Sequence, residues 1–305
     1  MEYEMTLVAK QQVESLFNQT AHELGFRLAV VLLCMAAGLS AQSTNQARQS
    51  DKLRLGLYSA VPARWDLDGN WAIFERTVMA HASEGIDLIV TPECYLDGYV
   101  VEANDWEPQR FAAVAQDVET SPYIKRLRKL AAQKRTYIVL GFTERSGGKI
   151  YDSAIMVDRD GRTAGIYHKT HLQEQDLRFS PGDDLPVFDT EWGKMGVLIC
   201  ADRRWPEPAR VARLKGARIT LIPSYGMWHI DNEWWMRTRS WENGNFIAFA
   251  HPNVAFVSDP EGKISAKLQT NVPGMLVCDV DLSRLRNTDI NDRRPELYGR
   301  LTEDI

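Results

Sequence analysis

The chain has 305 residues, of which 44% are hydrophobic and 25% are charged, and its formal net charge is −5. This is enough apolar sequence for one large α/β domain, and the length alone does not demand two. The acidic balance, without a basic patch interleaved with aromatic residues, argues against a nucleic-acid partner. Four cysteines are too few for a disulfide framework in a chain of this length.

The first 52 residues differ in character from the rest of the chain. Residues 28–41 form an unbroken run of 14 apolar or small residues, preceded by Arg27. This is the length of the hydrophobic part of a signal peptide, although the 26 residues before Arg27 are net acidic, which is atypical. We expect residues 1–52 to be an export signal and a polar linker, which places the protein in the periplasm or outside the cell. The alternative is an N-terminal helix on a cytoplasmic protein.

From residue 53 onward, strand patterns alternate with helical patterns. No apolar run in the sequence reaches 18 residues, and the run at 28–41 has only 14, so the sequence predicts no membrane-spanning helix. The alternation predicts a two-layer sheet with helices on the outside. Strands are predicted at 53–60, 86–91, 136–143, 150–157, 162–167, 195–199, 218–223, 246–250, 254–258, 263–268 and 275–280, and helices at 70–83, 121–135, from Pro206, and at 232–243.

The most informative stretch joins the strand at 195–199 to the helix that starts at Pro206, with Cys200 at the junction. A cysteine in this position faces the backbone amides of a turn and a helix start, which lower a thiol pKa and can hold a developing oxyanion. Most lone cysteines are small core residues. Three consecutive charged residues at 202–204 argue against that interpretation here.

The sequence from Cys200 to Glu207, Cys-Ala-Asp-Arg-Arg-Trp-Pro-Glu, resembles the nucleophile motif of the nitrilase, or carbon-nitrogen hydrolase, superfamily. That family uses a Glu-Lys-Cys triad in this chain order. Glu93 follows the strand at 86–91, and Lys169 follows the hairpin in Tyr-His-Lys-Thr-His-Leu. A strand-end glutamate or a hairpin lysine alone is usually a solvated surface residue. The three motifs together, in order, are specific.

The resemblance implies a carbon-nitrogen hydrolase domain over residues 53–305, folded as a four-layer α-β-β-α sandwich of the nitrilase type. It implies that Cys200 is the nucleophile, Glu93 the general base and Lys169 the cation at the oxyanion, with the backbone amide of Ala201 as a second oxyanion donor. Such sandwiches commonly pair, so we expect a homodimer or a higher homo-oligomer. No metal and no organic cofactor are implied.

Two expectations about the surroundings of Cys200 follow from the chemistry of this triad. A lysine cation nearby favours the thiolate over the thiol. Cys94 is a second nucleophile by composition, but it adjoins Glu93 in an extended segment, where successive side chains point to opposite faces. We therefore expect Cys94 to be packed rather than reactive.

Many family members carry a further glutamate, which supports the lysine, shortly before a Phe-x-Pro-Gly motif. The corresponding stretch here, 173–182, places Gln175 at that position, between Glu174 and Asp176. Glu174 is our expectation for the second carboxylate. His168 and His171 lie three residues apart without a metal-binding motif, so we expect His171 to line the site instead.

The substrate is less well defined by the sequence. Arg203 and Arg204 lie just after the nucleophile, and arginine suits bidentate binding of a carboxylate. The motif is similar to that of N-carbamoyl-D-amino acid hydrolases, and Tyr99 is a further expected pocket residue. We expect one arginine to face a small amide or N-carbamoyl substrate and the other to make structural contacts. The alternatives are a nitrilase or simple aliphatic amidase, and a non-catalytic binding protein with the same fold.

Overall fold

The computed structural model describes residues 50–228 and 232–303, so the signal-peptide prediction lies outside the described residues, except at residues 50–52. No helix in these two ranges is long and apolar enough to cross a membrane. The strands are β1 (Lys52–Ser59), β2 (Leu88–Val90), β3 (Tyr137–Ser146), β4 (Lys149–Val157), β5 (Thr163–His168), β6 (Val187–Thr190), β7 (Gly193–Val197), β8 (Ile219–Pro223), β9 (Phe246–Ala250), β10 (Val254–Ser258), β11 (Ile264–Gln269) and β12 (Gly274–Asp281). The α-helices are α1 (Leu67–Ala80), α2 (Pro108–Val114), α3 (Pro122–Lys134), α4 (Pro206–Leu214), α5 (Asn232–Asn243) and α6 (Thr288–Asn291).

The strands form two mixed six-stranded sheets. The first has the order β12-β1-β2-β3-β4-β5, and the second has the order β11-β10-β9-β8-β7-β6. The central strands β1, β2 and β3 run parallel, as do β7, β8 and β9, while the outer strands pair antiparallel. The carboxyl ends of parallel strands meet at one edge of a sheet, which is where open α/β folds place their sites.

The alternation of side chains along the strands separates two cores. Leu55 and Leu57 of β1 face the second sheet, in the same buried cluster as Phe249 of β9. Tyr58 points the other way and packs edge-on against Phe74 of α1, with ring centroids 5.3 Å apart. Helix α3 also lies on this outer face, while α4 packs on β7 and α5 on β9. The predicted α-β-β-α sandwich is therefore confirmed.

The sequence patterns located the long elements well and missed short ones. The predicted helix start at Ser121 is confirmed, since its side chain accepts hydrogen bonds from the amides of Tyr123 and Ile124. Strand β6, with four residues, and helix α2, with seven, were not predicted. Elements this short do not complete enough turns or alternations to show a period. Residues Cys200–Arg204 form a 3-10 turn between β7 and α4.

One glycine in β3 fixes the position of the loop that carries Glu93. A methyl group on Gly141 would lie 2.3 Å from the carbonyl oxygen of Pro92 and 2.8 Å from the amide nitrogen of Cys94. The amide of Gly141 donates to Thr91 Oγ1 at 2.9 Å. The loop after β2 thus lies directly on the backbone of β3, at a distance that only glycine allows.

We predict that Gly141→Ala lowers the free energy of unfolding by about 1–3 kcal/mol, because the added methyl group forces this loop away from β3. Gly274→Ala is the matched control, since a methyl group there meets its nearest neighbour, Leu268, at 3.7 Å. It should change stability by less than about 0.5 kcal/mol. Denaturant titration of both variants measures the difference, and equal stabilities would contradict the proposed close contact.

Candidate active site

The centre of the site is the ammonium group of Lys169, which directly follows β5 and is 1% exposed. Its Nζ donates to Glu93 Oε1 and to Asp176 Oδ2, each at 2.6 Å. Asp152 Oδ2 lies 3.3 Å from the same nitrogen. Glu93 comes from the loop after β2, Asp152 from β4, and Asp176 from the 3-10 turn Gln175–Arg178. Three separate segments therefore converge on one cation.

The four groups depend on one another, because burying an isolated charge is very costly. Burial lowers the pKa of Lys169, but Glu93 and the other anionic groups around it outweigh this and hold that pKa well above its ordinary value. The pKa of Asp152 is raised well above its ordinary value, first by burial and then by repulsion from Glu93 and Asp176, against the attraction of Lys169. The ammonium thus stays charged, while ionisation of Asp152 is opposed.

Glu93, Asp152 and Asp176 each place an oxygen within 4.8 Å of the others, a spacing that a metal ion could use. The Lys169 ammonium lies within 3.3 Å of all three carboxylates. It occupies the place where a cation would bind these oxygens.

Cys200 is the first residue of the 3-10 turn after β7 and is 5% exposed. Its φ of 42° lies in the left-handed region, which a residue with a side chain rarely adopts. Asp202 holds the turn, since its carboxylate accepts from the Ile199 amide at 2.8 Å. Its own amide donates back to the Ile199 carbonyl at 3.0 Å. Strained backbone held in this way is common at functional sites.

The electrostatic environment of Cys200 differs from the sequence expectation. The pKa of its thiol is raised, first by burial and then by Glu93, while Arg203 and Lys169 act in the opposite direction without prevailing. The expectation of a stabilised thiolate was therefore wrong for the resting protein. A buried thiol loses more hydration on ionising than the two cations restore. A thiol in this state needs a base to remove its proton before it can act as a nucleophile.

The two arginines after Cys200 have different environments. Arg203 is fully buried, and its Nη1 donates to Cys200 Sγ at 3.0 Å and to Ser224 Oγ at 3.4 Å. Its Nε and Nη2 donate to Asn232 Oδ1 at 3.1 and 2.7 Å. These partners, among the described residues, are all uncharged. Arg204 is exposed.

Tyr99 lies in the cluster rather than at its edge. Its hydroxyl donates to Asp176 Oδ1 at 2.7 Å, and its ring stacks on Tyr225 with centroids 4.7 Å apart. The Lys169 ammonium lies 5.9 Å from the centre of the Tyr99 ring. Tyr99 therefore orients Asp176 and forms one wall beside Lys169.

The structure also places three other expected residues, of which only Glu174 is exposed. The prediction that Glu174 is the second carboxylate at Lys169 was therefore wrong. Asp176 is the carboxylate that contacts Lys169. The 3-10 turn points position 176 inward and leaves position 174 outside. His171 contacts Asp202 at 2.9 Å and stacks on Trp205, which links it to the turn after Cys200. Ala201 is buried directly after Cys200.

Cys94 is also close to the cluster. Its thiol donates to Asp152 Oδ1 at 3.3 Å, and its φ is 42°, the same as that of Cys200. Burial, followed by the charge of Asp152, raises its pKa well above the ordinary value. It packs in an apolar cluster with Tyr99 and Phe111. The structure thus brings two cysteines near the Glu93–Lys169 pair.

Asp152 was missed in the sequence, although a signal was present. It is an acidic residue inside the otherwise mostly apolar strand β4, Lys-Ile-Tyr-Asp-Ser-Ala-Ile-Met-Val. A carboxylate in the middle of a buried strand is rare unless it is paired. This one carboxylate within an apolar strand would have indicated that Asp152 has a polar partner in the interior.

His251, which follows β9, lies close enough to Arg203 to feel its charge. Burial and then Arg203 lower its pKa to about 4. Its Nδ1 lies 2.8 Å from Asn253 Oδ1. Near neutral pH this imidazole is therefore uncharged and does not add a second positive charge beside Arg203.

This lowered pKa predicts a loss of stability in acid. The unfolded chain takes up the proton near pH 6.5 and the folded chain only near pH 4, so the contribution of His251 is present above pH 6.5 and is lost as the pH falls towards 4. We expect this effect to lower the free energy of unfolding by about 3 kcal/mol between pH 6.5 and pH 4. Denaturant titrations across it should show a smaller pH dependence for His251→Gln than for wild type. Equal slopes would contradict the lowered pKa.

Comparison with known proteins agrees with this geometry. The family model named carbon-nitrogen hydrolase matches residues 48–289. Citrullinase of Francisella tularensis is 28% identical over 266 residues, covering 76% of this chain and 92% of that protein. N-carbamoylputrescine amidase of Arabidopsis thaliana is 28% identical over 273 residues, covering 76% and 90%.

The fold is likewise that of a solved amidase. The amidase of Nesterenkonia sp. AN1, with an acetamide moiety on its active-site cysteine, superposes with a TM-score of 0.71 at 24% identity and covers 83% of this chain and 97% of that one. The family model spans most of the described domain and includes every residue of the Lys169 cluster as well as Cys200. The chain therefore belongs to the carbon-nitrogen hydrolase family, the enzymes of the nitrilase superfamily.

Proposed function

We propose that this enzyme hydrolyses the amide or N-carbamoyl group of a small carboxylate-bearing molecule through a thioester on Cys200. The observation that carries the proposal is the buried cluster in which Glu93 and Lys169 interact electrostatically with Cys200 while Arg203 contacts its sulfur. The proposal takes Glu93, Lys169 and Cys200 as the catalytic triad. Relatives named for citrulline and for N-carbamoylputrescine support a carbamoyl group as the reacting part.

In the first half of the reaction, Glu93 removes the thiol proton of Cys200 as the sulfur attacks the carbonyl carbon. The carbonyl π pair moves onto oxygen, where Lys169 and the amide of Ala201 stabilise the negative charge. The C–N bond then breaks, and the leaving nitrogen takes the proton back from Glu93. The result is a thioester on Cys200 and free ammonia.

In the second half, Glu93 removes a proton from a water molecule, whose oxygen attacks the thioester carbon. The C–S bond breaks, and Cys200 recovers its proton from Glu93. An amide substrate gives a carboxylic acid. An N-carbamoyl substrate gives a carbamic acid, which loses carbon dioxide to give the amine. The raised pKa of the Cys200 thiol supports a cycle that starts from a neutral thiol.

Arg203 supports the carboxylate part of the proposal. A buried cation whose described partners are a thiol, a hydroxyl and an amide oxygen is under-compensated, and an anion at this place would lower its electrostatic cost. Arginine binds carboxylates in a fixed, directional geometry. The similarity of the motif around Cys200 to that of N-carbamoyl-D-amino acid hydrolases points to the same class of substrate.

We also propose that the enzyme is a homodimer or a higher homo-oligomer. Trp234 and Trp241 of α5 are 51% and 54% exposed. Seven residues apart on one helix, they lie on the same face. Exposed large apolar residues grouped on one face are typical of an interface between subunits.

The first test concerns the nucleophile. Cys200→Ala should abolish turnover of amide and N-carbamoyl substrates, because the proposal assigns the thioester to the sulfur of Cys200. Cys94→Ala is the matched control and should stay within about tenfold of wild type, since it removes one buried thiol contact. Intact-mass measurement with substrate should show an acyl adduct that disappears in Cys200→Ala. An adduct that disappears only in Cys94→Ala would assign the chemistry to Cys94.

The second test concerns the substrate carboxylate. Arg203→Gln should lower kcat/KM for an N-carbamoyl amino acid by the equivalent of roughly 2–4 kcal/mol, because the carboxylate loses its buried partner. N-carbamoylputrescine and butyramide, which carry no carboxylate, should be affected much less. Arg204→Gln, at an exposed position, is the control.

The comparison between substrate types cancels any general damage that the Arg203 variant does to the site. Equal losses on charged and neutral substrates would contradict the carboxylate proposal and favour a simple aliphatic amidase or a nitrilase. Turnover of a nitrile by the wild-type enzyme would distinguish these two.

A further inference from the structure

The Lys169 cluster contains two buried oxygens without a hydrogen-bond partner. Among the described side chains, Glu93 Oε2 and Asp152 Oδ2 are both in this state, although both residues are fully buried. The other oxygen of each carboxylate is used, since Glu93 Oε1 accepts from Lys169 and Asp152 Oδ1 accepts from Cys94. Buried polar atoms are rarely left unpaired, so this pair of oxygens needs an explanation.

The charges around Asp152 point to the missing hydrogen. The titratable groups that face it are Glu93, Asp176, Lys169 and the thiol of Cys94. Three ionised carboxylates around one ammonium would leave a net charge of about −2 among side chains that are at most 2% exposed, which is strongly unfavourable. One proton on one carboxylate halves that excess. Asp152 is the member for which both burial and its neighbours oppose ionisation.

We propose that Asp152 is a positioning residue. It carries a proton on Oδ2 in the resting enzyme, and this O–H donates a hydrogen bond to Glu93 Oε2. This one hydrogen bond pairs both of the unpartnered oxygens. Two ionised carboxylates cannot form such a bond, because each offers only acceptors. The Cys94 thiol, which donates to Oδ1 at 3.3 Å, leaves Oδ2 as the oxygen that carries the proton.

The proton also changes what Lys169 can do. An ammonium group has three N–H donors, and Glu93 and Asp176 take two of them at 2.6 Å. Asp152 Oδ2 lies at 3.3 Å, where an ionised carboxylate would compete for the third. A protonated Asp152 directs its O–H to Glu93 and attracts the ammonium only weakly. The third N–H then remains for the oxygen of the substrate carbonyl.

This role rests on the proposed function for its catalytic consequence but not for the protonation itself. During acylation Glu93 accepts the thiol proton and later returns it to the leaving nitrogen, while the Asp152 proton stays in the carboxyl pair throughout. Asp152 therefore neither gains nor loses a proton over the cycle. It keeps Glu93 oriented towards Lys169 and Cys200.

Infrared difference spectroscopy tests the protonation without turnover. In the full-length Cys200→Ala protein at pH 8, we expect the carbonyl stretch of a buried carboxylic acid, which disappears on adding Asp152→Asn and shifts on adding Glu93→Gln. Asp97 is the control, because its pKa is raised by burial to about 6, so it is ionised at pH 8 and Asp97→Asn should leave the band in place. A spectrum without an acid band that depends on Asp152 overturns the proposal.

Activity tests the positioning role. Asparagine can donate to Glu93 Oε2 through its amide and accept from Cys94 through its oxygen, as protonated aspartic acid does. Asp152→Asn should therefore retain at least about tenfold more kcat/KM than Asp152→Ala, which leaves Glu93 Oε2 unpaired. Equal losses in the two variants, with both folded, would overturn the role of the proton.

The two measurements separate this inference from the proposed function. If the wild-type enzyme hydrolyses none of the amide or N-carbamoyl substrates, the proposed function fails while the infrared result still decides the state of Asp152. If turnover proceeds through Cys200 but the acid band is absent, the function stands and the proton-sharing pair is refuted.

Discussion

The site depends on burying one ammonium group among three carboxylates. Lys169 has 1% of its surface exposed, and its charge can stay in the interior only because Glu93 and Asp176 each bind it at 2.6 Å. Removing Lys169 would leave the buried carboxylates without a counter-ion, which costs several kcal/mol. The cluster thus couples the loop after β2, the strand β4, the end of β5 and the 3-10 turn at Gln175–Arg178 into one unit. In the proposed mechanism, the base Glu93 and the oxyanion cation Lys169 are therefore already in contact before the substrate binds.

The proposed nucleophile, Cys200, is held by different means. Cys200 has a φ of 42°, and Asp202 fixes the turn around it by hydrogen bonds in both directions with Ile199. Burial raises the pKa of its thiol in spite of two nearby cations. A resting thiol is less exposed to adventitious oxidation than a thiolate, since the thiolate is the reactive form. In the proposed mechanism, activation of the thiol then depends on Glu93 as the base and on a bound substrate.

The two cations that act on Cys200 have different surroundings. Lys169 is surrounded by three carboxylates. Arg203 has described partners that are neutral, and the neighbouring His251 is uncharged near neutral pH, with a pKa lowered to about 4. This difference is why the proposed function assigns the substrate carboxylate to Arg203 and the oxyanion to Lys169.

The sequence by itself determined the class of fold, the family and the candidate triad, because each rests on local order along the chain. Glu93, Lys169 and Cys200 each follow a strand pattern, and strands of a sheet bring their ends together whatever the details of packing. Which acidic residue contacts Lys169 was decided by the tertiary structure. Asp176 and Glu174 are two positions apart, and only the path of a short 3-10 turn puts one inside and the other in solvent. The tertiary structure also decided that Arg203 is buried while its neighbour Arg204 is exposed, and that the pKa of the Cys200 thiol is raised. The protonation of Asp152 likewise depends on groups that are far away in sequence. Burial and electrostatic interactions depend on all neighbours in space, and residues far apart in sequence become neighbours only when the two sheets pack together.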